Sequence, residues 1–307
     1  MQFIKETKID FLSKRRIALI ASGLVILIGM ITMVMKGGPD YSIDFLGGTE
    51  IHVRFPNEIP INDIRNALTD VGFSSAEIKN FGNAKDVLIR IEQQQENSEV
   101  SDAILTGLTQ KFTDNTPVLL SVDSVGPKIG SELRTQSILA VFFALLLILV
   151  YVWLRFELVF GIGAIIALFH DVLITLGVFS ILGLEISLSV LAAFFTIVGY
   201  SLNDTIVVFD RIRENLKARK RDDFFTILNL SINQSLSRTI ITSLTTVIVV
   251  LVLYLNGGEV LHNFSFALLV GIIVGTYSSI FVATPVVAEW GLRQVQANAK
   301  SRKKRKK

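Results

Sequence analysis

The apolar positions of this chain are gathered into six long blocks, and one long polar stretch separates the first block from the second. The blocks run about Ile17–Met35, Ile138–Leu154, Leu158–Leu182, Ile186–Phe209, Thr239–Leu255 and Phe264–Ala288. Each has the roughly 17–25 residues that cross a bilayer as a helix. A single block of this kind reads as a buried core helix. Six of them, almost free of charge, predict six transmembrane helices. Within 36–134 the periodicity is 2 or 3.6 instead. Ser42–Phe55 reads as a strand, and Ile61–Val71 as a helix with Ile64 and Leu68 on one face. Glu77–Phe81 and Val87–Glu92 read as strands joined by a turn region at Gly82-Asn83. Val100–Phe112 reads as a helix and Val118–Val125 as a last strand. The order βαββαβ predicts a ferredoxin-like split βαβ unit.

Composition agrees with this division. The chain has 307 residues, half of them apolar and only 19% charged. It contains no cysteine, which removes disulfides, thiol nucleophiles and cysteine metal sites together. The net charge of +3 hides a segregation. Residues 36–134 hold 9 Lys/Arg against 15 Asp/Glu, whereas the C-terminus from Lys300 is almost wholly basic. With the N-terminus inside, the cytoplasmic pieces hold 21 Lys/Arg and the two short outer loops hold none. The bias toward inside loops sets the expected orientation: both termini cytoplasmic and the α+β domain outside. The basic flank Lys14-Arg15-Arg16 resembles that of a signal peptide. The apolar run behind it is longer than a signal core, so it is expected to be a retained anchor.

The expected organisation is a cytoplasmic N-terminus over 1–16, a first transmembrane helix over 17–35 and an extracytoplasmic α+β domain over 36–134. A five-helix transmembrane domain follows over 135–290, then a basic cytoplasmic tail over 291–307. The fold class is a polytopic α-helical membrane protein with six transmembrane helices plus that ferredoxin-like domain. The basic tail is expected to meet anionic lipid headgroups, and no nucleic-acid partner is expected.

The α+β domain shows no enzyme constellation. His52 stands alone, and Asp44 and Glu50 flank Gly47-Gly48 on what reads as a solvated strand with a glycine bulge. The candidate chemistry lies in the membrane, where a charge is costly and defaults to function. Asp171, beside His170, falls about 20 Å into the third span. Asp204 lies in a polar patch with Ser201, Asn203 and Thr205 in the fourth. Arg238 opens the fifth apolar block and can pair with Asp204 if it points inward. A carboxyl poised between burial and an arginine can bind and release a proton. Asp171 also fits a structural cap, and Arg238 a snorkelling interfacial residue. Gly271 and Gly275 form a GxxxG spacing in the sixth span, a weak signal for close helix contact.

Several of these residues carry a family resemblance. Asp44-Phe45-Leu46-Gly47-Gly48-Thr49, Val125-Gly126-Pro127 and His170-Asp171-Val172 resemble motifs of the SecD/SecF proteins. The run from Gly199 to Asn215, with Ser237-Arg238-Thr239 and Ile240-Ile241-Thr242-Ser243, is similar to their fourth- and fifth-span signatures. The resemblance covers essentially the whole chain apart from the tail, within the resistance-nodulation-division superfamily. It implies a subunit that pairs with SecD and assists the SecYEG channel in protein export. The drive would be the proton gradient, with no cofactor and no enzyme activity. YajC and YidC are implied as further partners, with a translocating polypeptide as the cargo. It implies proton transport by Asp204 and Arg238, and less directly by Asp171, with His170, Ser201, Asn203 and Thr205 in support. The implied location is the bacterial plasma (inner) membrane. Two rival readings stand beside it: a proton-coupled small-molecule efflux protein of the same superfamily, and an intramembrane aspartyl protease using Asp171 and Asp204.

Overall fold

A computed structural model describes residues 7–81, 83–91 and 97–291 of the chain. The basic tail, the first six residues, Gly82 of the expected turn and Glu92 of an expected strand lie outside the described residues. Two compact units result. One is Tyr41–Phe142; the other is built from the chain up to Asp40 and again from Phe143.

The Tyr41–Phe142 unit begins with a one-turn helix, α2 (Ile43–Leu46), where a strand was expected from Ser42. Ile43 and Phe45 alternate with polar neighbours as a strand would, but Ser42 Oγ accepts from the Asp44 amide and caps a helical turn. Gly47 and Gly48 then take φ of 76° and 127°, and the chain enters β1 (Gly48–Arg54). A Cβ on Gly47 would lie 2.8 Å from Pro127 Cα, and one on Gly48 2.7 Å from the Ile91 carbonyl oxygen. The glycine pair thus permits a close backbone approach within the domain. The ladder's irregularity falls further on, between His52 and Val53.

Helix α3 (Ile61–Asp70), β2 (Glu77–Phe81), β3 (Asn83–Ile91), α4 (Asn97–Lys111) and β4 (Val118–Val125) follow. The sheet order is β2-β3-β1-β4 with every pairing antiparallel, as expected of a βαββαβ unit. Ile51 and Val53 of β1 and Val87 and Ile89 of β3 meet Ile64 and Leu68 of α3 and Ile104 and Leu108 of α4 in the core. On β1 the alternate residues His52 and Arg54 face the other way. Arg54 holds the buried Asp86 through two bonds of 2.6 and 2.7 Å.

In the membrane unit α1 (Arg15–Met35) leads to the α+β domain. α5 (Pro127–Arg155), α6 (Leu158–Leu182), α7 (Leu188–Ala218), α8 (Phe224–Asn256) and α9 (Gly258–Ser278) follow it. A π-helical turn over Ser279–Ala283 extends α9, and the sixth span runs Leu261–Gly291. Among the described residues six helices are therefore long and apolar enough to cross a membrane. The chain is a multi-pass membrane protein. α7 and α8 run well beyond the apolar blocks, because their meeting ends bury polar side chains against each other. Asn215 donates to Ser231 Oγ and to Gln234 Oε1 at 2.9 and 2.8 Å. Arg238 is therefore mid-helix and does not open the fifth span. Along the same part of α8 lies the segment 7–12. Asn233 Oδ1 accepts from Thr7 and the Ile9 amide, Asn229 Oδ1 accepts from the Phe11 and Leu12 amides, and both carboxamides donate back.

Two outcomes test this description. A Cβ on Gly29 would collide with the Gly177 backbone, so α1 and α6 touch there through glycine alone. Gly29→Leu is expected to cost about 1–3 kcal/mol through overpacking, read as a lower melting temperature in detergent. In the α+β domain, hydrogen bonds from Arg54 hold the Asp86 carboxyl below its ordinary value. Burial holds the His52 imidazole below its own. Both folded values lie below the unfolded ones, so the unfolded state binds the extra protons as pH falls. Domain stability is expected to decline below about pH 6.5 from His52 and again below about pH 4 from Asp86. Asp86→Asn should remove the second decline in pH-dependent melting.

Candidate functional site

Between Glu157 and Glu185 the only charged side chain is Asp171, with His170 beside it. Asp171 is completely buried. Its Oδ1 is 2.8 Å from His170 Nδ1. Its Oδ2 accepts from Ser201 Oγ of α7 at 2.5 Å and from Ser278 Oγ of α9 at 2.8 Å. One carboxylate therefore ties three spans, with three hydrogen-bonding partners around it. Such charge-assisted bonds are the strong ones.

The close approach needs small neighbours, and the GxxxG spacing of α9 supplies them. A Cβ on Gly275 would stand 3.0 Å from that of Ser201, and one on Gly271 would run into Ile197. The spacing that was a weak signal in sequence is the seat of α7 on α9. The π-turn begins immediately after Ser278, and such turns recur at functional positions in helices.

Ser201, Asp204, Thr205 and Val208 are all buried, at the i, i+3, i+4 and i+7 spacing of one face of α7. Asn203 is exposed away from them. Asp204 is 2% exposed yet poorly held. Ser243 Oγ lies 3.4 Å from its Oδ2, but the same hydroxyl is only 2.6 Å from Thr276 Oγ1. Thr276 gives its own proton to the Ile272 carbonyl at 2.8 Å. A serine has one hydroxyl proton, so when Ser243 gives it to Thr276 none is left for Asp204. The two intramembrane aspartates thus differ: Asp171 is held by three partners and Asp204 by one long contact.

The structure does not bring Arg238 into an ion pair with Asp204. Arg238 is exposed at the surface of the chain, although its charge acts on Asp204 through space. Five residues separate Arg238 from Ser243, which turns them to different sides of α8. Thr239, four residues away, shares the Ser243 face instead. Asp171 and Asp204 share no hydrogen bond with each other among the described residues, so they form no paired-carboxylate dyad.

Behind Asp171 the network continues toward the first span. The His170 ring stacks on Tyr277 at 6.0 Å between centroids. Tyr277 Oη donates to the Ala18 carbonyl at 2.9 Å and meets Ser22 Oγ at 3.0 Å. Buried atoms without a hydrogen-bond partner among the described residues include His170 Nε2, Thr205 Oγ1, Thr239 Oγ1 and Tyr200 Oη. Sequence reasoning missed Thr276, Tyr277 and Ser278, and named Ser243 only as part of a motif, without a contact to Asp204. Single hydroxyls are common in membrane helices, and the only available signal was their density between Thr276 and Ser279.

The chain is similar to known proteins in sequence and fold. The family described as Protein export membrane protein SecD/SecF, C-terminal, matches residues 105–293. The protein translocase subunit SecF of Rhodothermus marinus is 47% identical over 295 residues, covering 94% of this chain and 95% of the relative. The subunit of the same name from Desulfurispirillum indicum is 46% identical over 299 residues, covering 95% of each chain. The crystal structure of SecDF, a translocon-associated membrane protein from Thermus thermophilus, aligns with a TM-score of 0.84 at 39% identity. The alignment takes in 93% of this chain and 39% of that one, so the chain spans about two-fifths of that longer protein. The chain belongs to the SecD/SecF family of protein-export membrane proteins. Its relatives of matching length carry the name of translocase subunit SecF.

Ser278→Ala removes one of three donors from a buried carboxylate. It is expected to cost about 1.5–3 kcal/mol, measured as reduced resistance of the purified protein to unfolding by SDS.

Proposed function

We propose that this chain is one subunit of a membrane complex that uses the proton gradient to promote protein export through the Sec channel. SecD would be its partner, as the names of the relatives and of the solved SecDF support. SecYEG is the channel assisted, an exported polypeptide is the cargo, and YajC and YidC are further partners. The α+β domain stands on the extracytoplasmic side of the bacterial plasma membrane in this reading, and both termini are cytoplasmic.

The observation that carries the proposal is the contrast between the two buried carboxyls. Asp204 has no committed donor, so a proton can come and go without dismantling a bond network. The Arg238 charge lies within electrostatic reach of it. Protonating Asp204 removes the attraction between the two. α7 and α8 repack, and the outer domain, tethered through α1 and α5, moves against the emerging polypeptide. Asp171 keeps α6, α7 and α9 together while this happens. One charge crossing 100 mV releases about 2.3 kcal/mol, enough to reverse a population ratio between two helix packings.

Asp204→Asn is expected to abolish gradient-dependent export in proteoliposomes, with chain abundance and association with SecD unchanged. Gradient-dependent export at the normal rate in that variant would overturn the assignment. Arg238→Ala is expected to act in the same direction, with at least a tenfold loss of the gradient-dependent component.

A further inference from the structure

The segment before α1 is held by side chains of a distant helix. Residues 7–11 form neither helix nor strand, and their main chain is gripped by two carboxamides four residues apart on α8. Asn233 Oδ1 accepts from the Ile9 amide at 2.9 Å, and its Nδ2 donates to the Ile9 carbonyl at 2.8 Å. Asn229 Oδ1 accepts from the Phe11 and Leu12 amides at 3.1 and 3.2 Å, and its Nδ2 donates to Asp10 Oδ1 at 2.8 Å. The spacing fits an extended chain. Four helical residues rise about 6 Å, and two extended residues, from Ile9 to Phe11, advance about 6.6 Å. The segment thus runs antiparallel to α8 as a strap. Phe11 and Leu12 are buried in one apolar core with Leu228 and Ile232 of α8, and the Phe11 ring meets Phe281 edge-on at 5.8 Å.

The strap joins two parts of the bundle that move against each other in the proposed cycle. At one end it runs into α1, which is seated elsewhere. Gly29 packs on the Gly177 backbone of α6, and the Ala18 carbonyl accepts from Tyr277 of α9. Arg15 donates to the Leu12 carbonyl and to Glu289 of the sixth span, both at 3.0 Å, and covers the Phe225 ring of α8 at 5.2 Å. At the other end the strap is fixed to α8. Arg238 is five residues beyond Asn233 on that helix, about 7.5 Å along its axis. A shift of α8 at Arg238 is therefore also a shift at Asn229 and Asn233. α1 is held in place, so the carboxamide contacts must break. They break at modest cost. Ile9 and Asp10 are exposed, so water can replace the carboxamides, and a hydrogen bond exchanged with water is worth little net.

We propose that the segment 7–12 is a releasable strap, which holds α8 in one packing through Asn229 and Asn233 and must leave them before α7 and α8 repack. The two asparagines are positioning residues. They act on the gradient-driven step through the placement of α8, the helix that carries Arg238 and Ser243. The strap stabilises the resting packing, and the strength of its grip sets how readily α8 responds. This inference rests on the proton-driven reading of the chain and adds to it a contact that has to open.

The chain has no cysteine, so introduced thiols are unique. Thr7 Oγ1 and Asn233 Oδ1 are 2.6 Å apart, and Thr7→Cys with Asn233→Cys permits a short, reducible thiol bridge. The full chain is assembled with SecD and SecYEG in proteoliposomes, and gradient-dependent export is measured before bridging, after it and after reduction. The bridged chain is expected to lose most of the gradient-dependent component and to regain it on reduction. Export at the unbridged rate while the bridge is intact overturns the proposal. A second measurement needs no bridge. Leu12→Cys places a thiol at a position only 2% exposed. Its reaction with a water-soluble maleimide, added from the face that carries the N-terminus, is expected to quicken when the gradient is applied. Adding Asn229→Ala and Asn233→Ala should give the faster reaction without a gradient. A rate that the gradient leaves unchanged, or that the two alanines leave unchanged, overturns the strap. Export by Asp204→Asn is measured separately. Loss of export in that variant, with a Leu12→Cys reaction indifferent to the gradient, removes the strap and leaves the proton-driven reading standing.

Discussion

A carboxylate inside a membrane helix must find all its hydrogen bonds within the protein, because the hydrocarbon offers none. Asp171 meets that demand by drawing on two other spans, and much of the bundle follows from it. Ser201 must come within bonding distance, so α7 must lie close to α9, so position 275 must be a glycine-sized residue. Ser278 must face the same oxygen, which places the beginning of the π-turn. Gly271, Gly275, Ser201, Ser278 and Asp171 are five expressions of a single packing requirement.

The same three helices carry a second carboxyl with the opposite character. Asp204 shares a face of α7 with Ser201, but the hydroxyl nearest to it is already engaged with Thr276. Asp171 is fully bonded and Asp204, one helical turn from the Ser201 that holds Asp171, is under-bonded. Were both equally well bonded, neither could change state at modest cost. Were both loose, spans three, four and six would lack the shared bonds that hold them together.

Much of this was legible in the sequence, for identifiable reasons. The six spans follow from block length and scarcity of charge, and the third span begins and ends where the apolar block does, at Leu158 and Leu182. The βαββαβ order followed from the switch between two periodicities. The strand expected from Ser42 failed because a capped helical turn and a strand put the same apolar residues at the same spacing over four positions. The starts of α8 and the end of α7 were misplaced because hydropathy sees lipid-facing residues, while those ends are held by Asn215, Ser231 and Gln234. Asp171 and Asp204 announced themselves as charges in apolar helices. The orientation of Arg238 did not, since a periodic pattern places a residue around its own helix but says nothing about which neighbour lies opposite. The serines and threonines that make the bonding of the two aspartates differ are likewise partners across helices.

The asparagine clamp on the segment 7–12 has a consequence for how the molecule comes into being. Thr7 is bonded to Asn233, 226 residues further along. Loop-closure entropy makes contacts of this separation late to form. The α+β domain, by contrast, is one uninterrupted stretch of chain and can complete its core before the fourth span has left the ribosome. During synthesis the earliest described residues therefore wait without partners until the fifth span arrives. The clamp is a seam that closes once the fifth span is present, and the bonds from the first span to the sixth, at Tyr277 and Glu289, must wait longer still.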